Sequence, residues 1–281
     1  MKSGMYKLFI TDLDGTLLDD RKTIPQANLE ALKRLVTDDI HITVFTGRNY
    51  HSAKPFIDAL GIDIPVVFQN GAFIMNPRSQ EILYQSGLGS SEASAITRIA
   101  FERGFDAIVY KGFMAIPDML IQRTEWNGSP YEPYVLHNHY RTEFVPSILD
   151  RIRDTDTISQ LAIIGKQDAL TVFEREMRER FRGTISPIYS SVISGTGFLE
   201  FFGPDVSKGI ALQKVLERFH ITPEETVFIG DNYNDVELME IVGLPVAVDN
   251  SPEFVKKLCR LVVANNNDAG VADAVQRIFY S

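Results

Sequence analysis

Apolar and polar positions keep one rhythm at the two ends of the chain and another in its middle. Residues 8–10, 42–45 and 66–68 are short apolar runs of strand length. Between them Leu29, Leu32, Leu35 and Val36, and then Phe56, Ile57 and Leu60, recur at helical spacing. Thr23-Ile24-Pro25-Gln26 matches a capping box with proline in the first turn, and Gly61 stops the second helix. The alternation resumes near Ser207 with a helix carrying Ile210, Leu212, Val215 and Leu216. Thr222-Pro223-Glu224-Glu225 is a second capping box, ahead of strands at 226–229, 245–248 and 261–263. A helix opens at Ser251-Pro252, and residues 271–279 form the last one. Strand following helix in this way predicts a parallel sheet with helical crossovers.

The middle does not alternate. Residues 72–75 and 82–84 read as a hairpin around Asn76-Pro77-Arg78, and Ile96, Ile99 and Ala100 lie on a helix that Gly104 ends. Residues 105–110 and 113–116 look like paired strands. Residues 125–141 are irregular, with Trp126, Tyr131, Tyr134, His137, His139 and Tyr140 scattered among Gly, Pro and Asn. A short helix near Pro146, a strand at 158–164, a charged helix at 167–181 and further strand to Phe202 follow. Grouped strands and helices predict a separate α+β unit. The fold class is therefore α/β, divided into 1–83, an insertion at 84–190, and 191–281.

Composition narrows the function. The chain has 281 residues, 44% of them hydrophobic, enough for two cores. A net charge of −9 argues against nucleic acid or a membrane surface as partner. Cys259 alone leaves no disulfide framework and no Cys-rich zinc site. With no apolar leader or spanning run, the expected location is cytoplasmic. His137-Asn138-His139 lacks a third ligand nearby and reads as ordinary loop histidines.

Four stretches at or near the ends of α/β elements carry candidate chemistry. Asp12-Leu13-Asp14-Gly15-Thr16 sets two carboxylates on one side of a strand end, although Asp-Gly alone also signals a hairpin. Thr46-Gly47-Arg48 offers a hydroxyl and a glycine-freed amide, or simply a capped turn. Ser207-Lys208-Gly209 places a cation in a first helical turn, where it opposes the dipole unless an anion binds there. Gly230-Asp231-Asn232-Tyr233-Asn234-Asp235 supplies hard oxygen ligands, and Tyr233 sits where an EF-hand would need a ligand. Together they hold the inventory of phosphoryl transfer.

In this order, these stretches resemble the haloacid dehalogenase superfamily, and within it the Cof-like phosphatases with a C2-type (IIB) cap. Gln69-Asn70-Gly71-Ala72 and Asp268-Ala269-Gly270-Val271-Ala272 fit as well. The likeness covers essentially the whole chain in layout, being specific in the split domain and weak in the cap. It implies a Rossmann-like core with an inserted α+β cap that closes over the site. It also implies a Mg2+-dependent phosphatase of a small phosphorylated metabolite, either a sugar phosphate or a nucleotide-like cofactor phosphate. On the matching residues, Asp12 would be the nucleophile and Asp14 the acid and base. Thr46, Gly47, Lys208 and Asn234 would hold the phosphoryl oxygens, and Arg48 would touch substrate or cap. Asp12, the Asp14 carbonyl and Asp231 would ligate Mg2+, with Asp235 orienting its waters or supporting Lys208. The superfamily's dehalogenases and phosphonate hydrolases lack an aspartate at the place of Asp14, so its presence favours a phosphate ester or anhydride. A sugar phosphomutase and a phosphate sensor without turnover are the alternatives, and the assembly expected is a monomer or homodimer.

Overall fold

The structure, a computed structural model, describes residues 5–122, 126 and 128–281, and only the backbone of Ser191. The chain forms two compact units, one of Met1–Gln85 with Ser207–Ser281 and one of Ser86–Val206.

In the first unit five parallel strands lie in the order Leu261–Val263, Leu244–Val248, Thr226–Gly230, Leu8–Thr11, His41–Val44. Every residue of Leu8–Thr11, Thr226–Gly230 and Leu244–Val248 is buried, as strands covered on both faces require. Parallel neighbours cannot be joined by a tight turn, so helices such as Gln26–Thr37 make the crossovers. A three-stranded antiparallel sheet of Val66–Phe68, Phe73–Met75 and Ile82–Gln85 abuts His41–Val44 through a Phe45–Val67 bridge. Strands from opposite ends of the chain thus lie side by side, and their carboxyl ends share one edge.

Helix ends follow local chemistry. Asn49 caps Tyr50–Leu60 by accepting from the Ser52 amide at 2.9 Å, and Ser207 caps Lys208–Phe219 by accepting from the Ile210 amide at 3.1 Å. Glu225 accepts from the Thr222 amide at 3.0 Å, which completes the second expected capping box. The first does not form. Asp19 takes both the amide and the hydroxyl of Thr23 at 2.8 Å, and Gln26–Thr37 begins without a side-chain cap.

The second unit is a six-stranded sheet, ordered Ser186–Ile193, Thr196–Phe202, Ile158–Lys166, Asp106–Lys111, Met119–Ile121, Thr142–Phe144. Alternate residues of Ile158–Lys166 feed two cores: Leu161 and Ile163 pack with Phe173 and Ile96, while Ala162 and Ile164 pack with Trp126 and Tyr131. Three expectations change. The partner of Asp106–Lys111 is Met119–Ile121 rather than 113–116, where Met114 and Ile116 are exposed ahead of Pro117. Within 125–141 the chain forms the helix Glu132–His137 and a 3-10 turn His139–Arg141, while Glu125 and Asn127 lie outside the described residues. The helix expected near Pro146 is a 3-10 turn at Leu149–Arg151. The second boundary also moves, from 190 to Val206, because Thr196–Phe202 pairs with Ile158–Lys166 inside this sheet. No described helix is long and apolar enough to cross a membrane.

Candidate active site

The shared edge of the parallel sheet gathers the charges. Asp12 follows Leu8–Thr11, Asp231 follows Thr226–Gly230, and Lys208 opens its helix with its side chain fully buried. Lys208 Nζ donates to Asp12 Oδ1 at 2.7 Å and to Asp235 Oδ1 at 2.6 Å. Asp235 Oδ2 accepts from the amides of Asp231 at 2.9 Å and Asn232 at 3.1 Å, so both its oxygens are engaged. Two carboxylates beside the ammonium hold its pKa above the ordinary value, although burial opposes this.

Asp14 stands on a loop that leaves the strand end. Gly15 adopts φ +75°, and a Cβ there would lie 2.4 Å from Asp231 Oδ2, so only glycine lets this loop approach the acid. Thr16 Oγ1 donates to Asp231 Oδ1 at 2.8 Å. The Asp14 carboxylate faces two cations. Arg48 binds it with Nε at 2.6 Å and Nη2 at 2.7 Å, and Lys22 Nζ approaches to 2.7 Å. Burial would raise this carboxyl, yet hydrogen bonds and charge from Arg48, then Lys22, hold it down at about 2. In this arrangement Asp14 is an anion.

Thr46, Gly47 and Asn234 converge around Asn70. Asn70 sits in the left-handed region at φ 56° and accepts from Asn234 Nδ2 at 2.9 Å. Its side chain passes so close to Gly47 that a Cβ there would lie 3.3 Å from Oδ1. Thr46 Oγ1, buried, accepts from the Arg48 amide at 3.1 Å, which leaves its own proton free to donate. The candidate catalytic, phosphate-binding and metal residues from the sequence thus lie in the first unit around one edge. Lys22, Asn70 and Thr16 join them. Asn70 and Thr16 lay inside matched stretches, whereas Lys22 carried no signal beyond that of a charged turn.

The donor set fits a hard divalent cation. Carboxylate oxygens of Asp12, Asp231 and Asp235 lie within 4.8 Å of one another, and Lys208 balances only one of the three charges. Burial lifts Asp12 to about 7, with Lys208 opposing and the Asp235 charge adding. Burial, then the charges of Asp12 and Asp235, push Asp231 well above its usual range. A cation among these oxygens would relieve both.

The family model described as haloacid dehalogenase-like hydrolase matches residues 9–275. The chain belongs to the haloacid dehalogenase-like hydrolases. This hydrolase is an enzyme of the phosphatase kind, on the family match and its named relatives. It is 24% identical to the 5-amino-6-(5-phospho-D-ribitylamino)uracil phosphatase of Bacillus subtilis over 97% of each chain. It is also 24% identical to the pyridoxal phosphate phosphatase of Escherichia coli over 98% of each. A haloacid dehalogenase-like hydrolase from Bacteroides thetaiotaomicron superposes with a TM-score of 0.82 at 27% identity, covering 98% of this chain and 100% of that one.

Proposed function

We propose that this hydrolase cleaves phosphate monoesters of small metabolites through a phosphoryl group carried on Asp12, with Mg2+ as its metal. The observation that carries this reading is the cluster in which carboxylates of Asp12, Asp231 and Asp235 lie within 4.8 Å of one another while Lys208 pairs with Asp12 and Asp235. Relatives named for pyridoxal phosphate and for 5-amino-6-(5-phospho-D-ribitylamino)uracil support substrates of the size of sugar phosphates or nucleotide-like cofactor phosphates.

Lys208 fixes Oδ1 of Asp12, which leaves Oδ2 to attack phosphorus, and a third N–H of Lys208 remains for a phosphoryl oxygen. The Thr46 hydroxyl, the Gly47 amide and the Asn234 amide hold the other phosphoryl oxygens. As the P–O bond to the leaving alcohol breaks, Asp14 gives that oxygen its proton. Asp14 then takes a proton from the water that attacks phosphorus, and inorganic phosphate leaves with Asp12 restored. Asp14 must first acquire its proton, which requires Arg48 and Lys22 both to release the carboxylate, Arg48 toward the incoming phosphate dianion. Asp12, Asp231 and the Asp14 carbonyl would hold Mg2+, with Asp235 committed to Lys208. When bound, the ion lowers the repulsion between a carboxylate and a phosphate dianion.

The test is phosphate release from a panel of phosphorylated metabolites and p-nitrophenyl phosphate in Mg2+. Release from several members is expected, and release from none contradicts the reading. Isomerisation of a hexose 1-phosphate with trace bisphosphate, without free phosphate, would mark a phosphomutase instead.

A further inference from the structure

The loop that carries Asp14 is held by asparagine side chains from distant segments. Asn250, beyond Leu244–Val248, donates Nδ2–H to the Gly15 carbonyl at 2.7 Å. Its Oδ1 accepts from the Asn266 amide at 3.0 Å, and Asn266 Nδ2 donates in turn to the Leu18 carbonyl at 3.0 Å. Asn28 bonds the Leu17 carbonyl at 3.2 Å and accepts from the Ala272 amide at 2.9 Å. Asn28 and Asn266 are buried, whereas Asn250 is exposed. Three loop carbonyls are thereby each fixed from outside the loop. An amide side chain suits this work because it donates to one backbone while accepting from another. A carboxylate of the same shape can only accept.

We infer that Asn250 and Asn266 form a positioning relay that sets Asp14 over Asp12, an inference that rests on the role proposed for Asp14. Gly15 has no side chain, so its carbonyl is the handle next to Asp14. On the other side of Gly15, Thr16 is tied to Asp231. With the Asn250 bond gone the loop keeps its fold, but its acid end is free to drift. A shift of about 1 Å at a reacting group costs up to about 100-fold in rate.

The test compares kcat/KM for phenyl phosphate and p-nitrophenyl phosphate in Mg2+. Phenolate leaves poorly without a proton, and p-nitrophenolate leaves readily, so the ratio reads proton donation in the first phosphoryl transfer. Asn250→Asp keeps the acceptor for Asn266 and removes the donor to Gly15, and Asn250→Ala removes both. Each variant is expected to lose about tenfold on phenyl phosphate and less than about twofold on p-nitrophenyl phosphate. In an Asp14→Asn background, neither change should alter the ratio further. Equal loss on both esters, no loss on either, or an altered ratio without Asp14 overturns the relay. A wild-type enzyme inactive on both esters and on every member of the metabolite panel overturns the phosphatase reading and the relay with it.

Discussion

Each unit buries a charged cluster, and the two are built on opposite terms. In the inserted unit, Arg141 and Asp118 are 1% and 4% exposed and stand one to one. Arg141 Nε donates to Asp118 Oδ1 at 2.7 Å, Nη2 meets Oδ2, and Nη1 reaches Asn138 Oδ1 at 3.3 Å. The nearby Tyr110 and Tyr134 hydroxyls bond each other at 2.7 Å, and burial pushes Tyr134 up to about 12. Arg141 and Asp118 satisfy each other there, and the buried Glu200 carboxylate, whose charge also reaches both tyrosines, accepts from Gln160 and Ser190. In the parallel-sheet unit, one lysine faces three carboxylates, and Asp12 rises to about 7. Burial alone therefore does not mark a working site, since the Arg141 pair is almost as deeply buried as Lys208 with Asp235. Unbalanced charge does, because it is stable only with something still to bind.

The largest effect that would separate the clusters is Asp12→Asn. It should lower phosphate release by about 10,000-fold or more. The folded pKa of Asp12 lies above its usual 3.8, so its stabilising share is full below 3.8 and lost as pH rises through about 7. Asp12→Asn should accordingly leave the metal-free protein at pH 8 at least as stable as wild type in calorimetry. Arg141→Met should do the reverse, costing about 3–5 kcal/mol of stability by stranding Asp118, and Arg141→Met with Asp118→Leu should recover most of it. Urea unfolding measures both. A stranded Asp118 that cost nothing would erase the contrast.

Metal removal gives a smaller, pH-dependent effect. A cation competes with protons for Asp12 and Asp231, so chelation should lower the melting temperature by about 5 °C at pH 8 and far less at pH 5. Equal shifts at both pH values would remove the cation from these oxygens. The smallest effect belongs to Arg48→Gln. The folded pKa of Asp14 lies below 3.8, so this pair stabilises above that value and the contribution fades as pH falls through about 2. With the Asp14 side chain 39% exposed, the loss should stay under about 1 kcal/mol at pH 7 and shrink toward pH 2 in acid unfolding.

The parallel-sheet unit was the more legible in the sequence, for a physical reason. Asp12, Thr46, Lys208 and Asp231 each follow or open a regular element, so a short window holds both the apolar run and the chemistry. Asn250 and Asn266 act through partners that no window contains, and Lys22 reaches Asp14 across a turn whose pattern does not show the pairing. Asn250 reads as a polar turn until its amide is seen on Gly15. Thr23 shows competition within a window, because Asp19 claims the hydroxyl that a capping box needs. In the inserted unit, the end at Val206 depends on Thr196–Phe202 finding Ile158–Lys166, a pairing set by tertiary packing rather than by pattern.

The central claim is that Asp12 carries the phosphoryl group between two half-reactions. Asp14→Asn mixed rapidly with p-nitrophenyl phosphate tests it most directly, because p-nitrophenolate leaves without the acid while breakdown of the acyl phosphate loses its base. The account predicts a burst of about one p-nitrophenol per chain, and, after acid quench, a phosphoryl group located by mass spectrometry on Asp12. Steady release without a burst, or a phosphoryl group on any other residue, would contradict it.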